Sequence, residues 1–115
     1  MPAYRDIYIG KDYDLSVSIT QDSAMTGGDG WTWTALIDKT RTAGGTADVS
    51  ADHDSATLSN SDKTITLVFN ITDTETSALT AGQNEIEIQS DDGSGKVLVW
   101  PETRGNVTVR TPLGT

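Results

Sequence analysis

The sequence predicts an all-β protein, an antiparallel β-sandwich of about seven or eight strands with one short helix. First, apolar side chains recur at every second residue over most of the chain, which is typical of strands that bury one face. Second, short clusters rich in Gly, Asp, Asn and Ser separate these runs. Third, no interval between runs is long enough for the helical crossover that a parallel sheet needs. Together these features favour a sandwich.

The predicted strands follow the alternation directly. It is clearest in residues 15–20, 65–71, 85–89 and 107–110. Residues 96–100 are instead apolar on both faces, which predicts a strand that is covered on both sides or lies against a partner. The intervening Asp-Asp-Gly-Ser-Gly of residues 91–95 predicts a hairpin, because Asp and Gly tolerate the positive φ values that tight turns use.

One segment departs from the strand pattern and predicts a helix near residues 73–79. Thr72 and Glu75 have the spacing of a capping box, in which each side chain satisfies a backbone N–H at the start of a helix. Leu79 follows and is expected to point into the core, and Gly82 can end the turn. We expect one or two helical turns that cover an open end of the sandwich.

The pair Trp31 and Trp33 could form either a ligand-binding aromatic surface or part of the core. In a strand over residues 31–38 both share a face with Ala35 and Ile37, which favours the core. Trp33 is therefore predicted as a core anchor, and Trp31, next to a glycine-rich loop, as partly open. The other two predicted core anchors are Leu67 and Phe69.

Composition and charge limit the partners. The 115 residues fit one domain spanning residues 1–115, without cysteine and therefore without disulfides or thiolate metal sites. A net charge of −9 repels phosphate backbones, which argues against nucleic-acid binding. The opening MPAYRDIYIG lacks the apolar region of a secretory signal, and no run of about 18 apolar residues is present. We expect neither export nor membrane insertion.

Candidate chemical sites are few, and none predicts an enzyme. The single histidine, His53, lies between Asp52 and Asp54 and before Ser55, but such a polar segment is typical of a solvated turn, and a triad is defined by geometry. The acidic segments 48–54 and 91–94 offer oxygen ligands for Ca²⁺, yet neither has the spacing of a calcium-binding loop. We expect no catalytic residues, no cofactor and no bound metal.

The order of these motifs resembles a known family. The segments YDLSVSIT, GWTWTALI, ITLVFNITDTETSALTAG and, after the Asp-Gly hairpin, GNVTV look like small virion proteins of tailed phages. Their best known members are the N-terminal Ig-like domains of baseplate upper proteins, and the resemblance covers nearly the whole chain. It implies an Ig-like sandwich without enzymatic activity that binds other virion proteins. Baseplate upper proteins continue into a receptor-binding region, whereas this sequence ends at Thr115. We therefore expect a module on the capsid, as a decoration protein, or at the neck or baseplate.

The expected interface combines apolar residues without an obvious place in the core. These residues are Tyr4, Leu98, Trp100 and Leu113. The first and last lie in possible extended arms at about residues 1–6 and 110–115, which could order on binding a neighbour. We expect a homo-oligomer, with a trimer favoured because virion lattices offer threefold positions, and a capsid or tail protein as partner in the virion.

An alternative function is that of a carbohydrate-binding or adhesion module of a virion fibre or cell surface. It requires Trp31, Trp100 or Tyr13 to form an exposed surface for stacking against sugars.

Overall fold

A computed structural model of the chain describes residues 4–39 and 47–113. Within them the chain forms eight strands, one short helix and one 3₁₀ turn, which confirms the predicted all-β sandwich. The strands are β1 (Ile7–Tyr8), β2 (Tyr13–Thr20), β3 (Thr32–Asp38), β4 (Val49–Asp52), β5 (Ser55–Ser59), β6 (Thr64–Ile71), β7 (Gly82–Asp91) and β8 (Val97–Arg110). The helix is α1 (Asp73–Thr76), and the 3₁₀ turn is Gly28–Gly30.

The strands form two sheets. The larger sheet has the order β1-β8-β7-β3-β4 and the smaller one β2-β6-β5. Neighbouring strands are antiparallel except β1 and β8, which are parallel with Ile7 opposite Val109. This two-residue edge pair is the one departure, among the described residues, from the antiparallel arrangement that the sequence predicts. The two strands lie near opposite ends of the chain, so the rest of the domain connects them and no dedicated crossover is needed.

The core lies between the inner faces of the two sheets. Every second residue of β2, β3 and β6 is buried, as the alternation predicts. Trp33, Leu67 and Phe69, the predicted core anchors, all have no exposed surface. Burying a side chain of this size contributes about 1.5–3 kcal/mol or more, so these rows decide which faces of the sheets meet.

Strand β8 is longer than the sequence suggested. Residues 96–100 and 107–110 were expected to form separate strands, but they belong to one strand of 14 residues. The pairing with β7 is irregular: Ile86 lies opposite Gly105 and Ile88 opposite Trp100, so four residues of β8 lie opposite Glu87. Pro101 falls in this bulge, where no ladder N–H is required of it.

Helix α1 has the predicted cap and is shorter than predicted. The Thr72 hydroxyl accepts the Glu75 N–H at 3.2 Å, and the Glu75 carboxylate accepts the Thr72 N–H at 3.0 Å, which completes the capping box. The helix ends at Thr76 instead of extending to residue 79, because the N–H groups of Ala78 and Leu79 donate three residues back and tighten the turn. The Leu79 side chain is buried, as expected.

Candidate docking surface

The three tryptophans form a cluster inside the sandwich. The ring of Trp33 lies 5.8 Å from that of Trp31 and 5.4 Å from that of Trp100, between centroids. The indole N–H of Trp33 donates to the carbonyl of Gly28 at 2.8 Å, so the polar atom of this buried ring is satisfied. Trp31 is half-buried and packs against the core. The Trp-x-Trp motif therefore contributes packing rather than an open stacking surface.

Trp100, one of the predicted interface residues, packs in the core and leaves little of its surface for a partner. Its side chain is only 9% exposed, and its indole N–H donates to the Ser90 hydroxyl at 2.9 Å. The bulge beside it is held by Thr103, whose hydroxyl accepts the Ile88 N–H and donates to the Trp100 carbonyl. The sequence showed no sign of this arrangement, because Thr103 lies outside any alternating run. Tyr13 is also buried, at 4% exposure.

The exposed apolar residues of β8 are Val97 and Val99, which the sequence analysis did not single out. They are 58% and 47% exposed, whereas Leu98, the predicted interface residue, is half-buried against the core. Strict alternation explains this outcome, since Trp100 and Leu98 share the inward face and the two valines the outward one. The segment is apolar on both faces, as expected, but Val97 and Val99 face the solvent instead of the predicted Leu98 and Trp100.

Tyr4 is fixed to the body of the domain, although it was expected in a disordered arm. Its side chain is half-buried, and its hydroxyl donates to the carbonyl of Thr103. Burial, followed by the neighbouring Tyr13, raises the pKa of Tyr4 to about 12. Arg5 lies over the Tyr13 ring at 4.9 Å, and the Tyr13 hydroxyl donates to the Arg5 carbonyl at 2.7 Å. The part of the predicted arm in residues 1–3 lies outside the described residues.

Both ends of the described chain meet at one surface, which we name the terminal surface. It is defined by Tyr8, Lys11, Pro112, Leu113 and the ion pair between Asp6 and Arg110. Two shallow concavities meet there and share Asp6, Tyr8 and Pro112. Tyr8 is 44% exposed and Leu113 fully exposed, so this surface holds two of the four large apolar side chains exposed among residues 4–39 and 47–113. Residues 114–115, the rest of the predicted C-terminal arm, lie outside the described residues.

The terminal surface is also less acidic than the rest of the protein. The two concavities are lined by three of the chain's eight basic residues, Arg5, Lys11 and Arg110, but by only two of its seventeen acidic ones. Arg110 binds Asp6 through Nε at 2.6 Å, which orders the rim of the surface. In a chain of net charge −9, this is a place where an acidic partner can approach with little repulsion.

The polar segments considered for catalysis or calcium serve backbone structure. His53 Nδ1 accepts the Trp33 N–H at 3.1 Å, and Asp54 accepts the Asn70 N–H at 2.6 Å, so neither group is arranged around a serine nucleophile. In the hairpin, Asp92 accepts the N–H groups of Ser94 and Lys96 and the Ser94 hydroxyl, which lowers the pKa of Asp92. These are turn contacts.

Comparison with known proteins adds no relative. No protein-family profile matches the chain, and no curated protein or solved structure does. Within the part of the chain that the structure describes, no helix is long and apolar enough to cross a bilayer. In the same residues, no group of three acidic or histidine side chains is placed to hold a metal ion.

Proposed function

We propose that this protein is a non-enzymatic structural module of a tailed-phage virion that docks through its terminal surface onto a capsid, neck or baseplate protein. The observation that carries the proposal is the gathering of Tyr8, Pro112 and Leu113 at one surface of reduced acidity. Exposed apolar side chains that are contiguous and rimmed by charges are typical of protein-binding surfaces. The resemblance in the order of motifs supplies the virion context.

The pattern of side-chain use supports this role. Thr103, His53 and Asp92, each buried or half-buried, all bond to backbone groups, so these polar groups stabilise the fold. The concavities at the terminal surface are shallow, whereas pockets for small substrates enclose most of their ligand. A surface of this shape suits an extended contact with another protein.

Binding to particles that lack the protein tests the proposal. The purified chain is incubated with such particles, and the bound fraction is measured by co-sedimentation. We expect Leu113→Ser and Tyr8→Ser to weaken binding about tenfold or more, because exposed apolar and aromatic anchors dominate many interfaces. Val97→Ser is the matched control, since Val97 is also exposed but lies on the outer face of the larger sheet.

The binding results show whether the protein docks on particles and through which surface, and a copy count then shows where on the particle it lies. If wild-type protein does not bind particles, the virion role is wrong. If all three variants bind like wild type, the protein docks through another surface. Counting copies per particle by mass spectrometry then distinguishes capsid decoration, with hundreds of copies, from a tail or baseplate position with a few dozen at most.

The alternative, a carbohydrate-binding module, requires exposed aromatic side chains, and the residues considered for that role are buried or half-buried. Trp100 and Tyr13 are buried, and Trp31 is half-buried against Trp33. The same preparation provides the test: glycans that protect tryptophan fluorescence from acrylamide quenching would support this alternative over docking.

A further inference from the structure

Strand β2 forms a long open edge of the smaller sheet. Within the described residues it pairs along its eight residues with β6 and with no other strand. The other edges are shorter: β1 has two residues, β4 has four and ends at Asp52, and β5 has five and packs against the Gly28–Gly30 turn. An open edge presents unpaired N–H and C=O groups that can bind another strand.

Two hydrogen bonds show which backbone groups of β2 face outward. In an antiparallel pair, a residue directs its N–H and C=O to the same side, and successive residues alternate. Gln21 donates its N–H to the Lys63 carbonyl at 2.9 Å, which extends the β2–β6 ladder, so the odd-numbered residues face β6. The Asp14 carbonyl instead accepts from Arg5 Nη2 at 2.7 Å, from the opposite side. The even-numbered residues therefore face away from β6.

The outward groups that remain belong to Ser16, Ser18 and Thr20. No described residue donates to or accepts from their backbone on this side, whereas Arg5 covers the outward carbonyl of Asp14. All three side chains are neutral and exposed on the outer face of the smaller sheet. The open stretch therefore contains three N–H and three C=O groups and is centred on Ser18.

We propose that β2 binds β2 of a second copy, antiparallel and about a two-fold axis at Ser18, so that two three-stranded sheets become one of six strands. In this register Ser18 lies opposite Ser18 of the second copy, and Ser16 lies opposite Thr20. The six outward groups of each copy are then paired with those of the other.

A second copy fits this edge because the open stretch is complementary to itself. A two-fold axis requires a stretch with the same pattern in both directions, and three neutral residues with alternating outward groups provide it. Like charges directly opposite each other destabilise a strand pair, and none occurs within this ladder. Just beyond each end of the ladder Asp14 of one copy lies opposite Asp22 of the other, and the Glu102 carboxylate lies nearby because it accepts from Gln21 Nε2 at 3.1 Å; Arg5, which donates to the Asp14 carbonyl, partly offsets this negative charge.

We expect the association to be weak and to strengthen with salt. A single strand pair buries less than the roughly 1,200 Å² of a stable complex. Each copy carries a charge of −9, so the two copies repel each other at low ionic strength, and screening relieves this. An interface built on ion pairs would show the opposite salt dependence.

Cross-linking through single cysteines tests the register directly, because the chain has no cysteine of its own. Paired residues of an antiparallel ladder have Cα atoms about 5.5 Å or less apart, within reach of a disulfide. We expect Ser18→Cys to form disulfide dimers about tenfold faster than Thr57→Cys, since paired thiols have a high effective concentration. Thr57 is the matched control: it is exposed on the same face, in the same cross-strand row through Thr66, but on β5.

Sedimentation completes the test. At several hundred micromolar we expect wild type to contain dimer and Ser18→Pro to be monomeric with an almost unchanged melting temperature, because the lost N–H takes no part in the β2–β6 ladder. Should Ser18→Pro fold poorly, Ser18→Lys places two like charges opposite each other and has the same expected effect. A monomeric wild type, a dimer that survives both substitutions, or equal cross-linking of the two cysteine variants overturns the proposal.

This inference deepens the proposed structural role, yet the two can fail separately. A monomeric chain that binds particles removes the β2 contact and keeps docking through the terminal surface. A dimer joined through β2 that binds no particle removes the virion role and keeps the strand pairing.

Discussion

Replacing Trp33 by alanine measures how much the aromatic cluster stabilises the fold. The side chain has no exposed surface and contacts the rings of Trp31 and Trp100. Truncating a buried tryptophan costs about 3–5 kcal/mol. The Gly28 carbonyl also accepts the Trp31 N–H at 3.2 Å, so it keeps a donor when the indole is lost, and the packing contribution dominates the expected cost.

The matched variant is Trp33→Phe, which keeps most ring contacts but removes the N–H. We expect it to cost about 1–2.5 kcal/mol, so that the difference between the two variants reports the packing contribution. Urea unfolding followed by circular dichroism is the assay. With a slope near 1.5 kcal/mol/M, a loss of about 4 kcal/mol lowers the midpoint by about 2.7 M.

Trp31→Ala provides the comparison that can refute this reasoning. Trp31 stacks on the same ring but is half-buried, so we expect a loss of about 1–2 kcal/mol. If Trp33→Ala is no more destabilising than Trp31→Ala, the cluster does not anchor the sandwich. If Trp33→Ala is unfolded in buffer, Trp33→Phe still supplies a measurable free energy.

Three further substitutions follow from local contacts. Thr72→Ala removes the capping box and should lower the free energy of unfolding by about 1 kcal/mol in urea titrations. Thr74→Ala should change it little, because Thr74 is exposed in the same turn and takes no part in the capping box. Ser61 has a φ of 54° in the β5–β6 turn, so Ser61→Gly should raise the melting temperature through a gain of about 0.5–1 kcal/mol; an unchanged or lower value contradicts the strain argument. Burial raises the pKa of Tyr4 to about 12, so the unfolded chain loses the Tyr4 proton at a lower pH than the folded protein. The free energy of unfolding should therefore fall as the pH rises from 10 to 12. Urea unfolding should show a shallower fall for Tyr4→Phe, while tyrosinate absorbance follows the ionisation itself.

The sequence determined the class of fold and the main core rows. Alternation in β2, β3 and β6 fixed which side chains face inward, because a one-residue shift would expose every apolar residue of a strand. The capping box fixed the start of α1 because its two hydrogen bonds join residues only three apart. Features set by neighbours along the chain could therefore be predicted.

Tertiary structure alone decided where Trp100 and the termini lie. Trp100 is buried because strand β7 lies beside it: its indole donates to the Ser90 hydroxyl, and the bulge next to it is joined to β7 by the bond from the Ile88 N–H to the Thr103 hydroxyl. The pairing of Ile7 with Val109 brings Tyr8 and Leu113 to one surface, although they lie near opposite ends of the chain. The open edge of β2 likewise depends on strand order. Alternation gives a residue's side within a strand but not which strand lies beside it, and that choice is made by the packing of the whole domain.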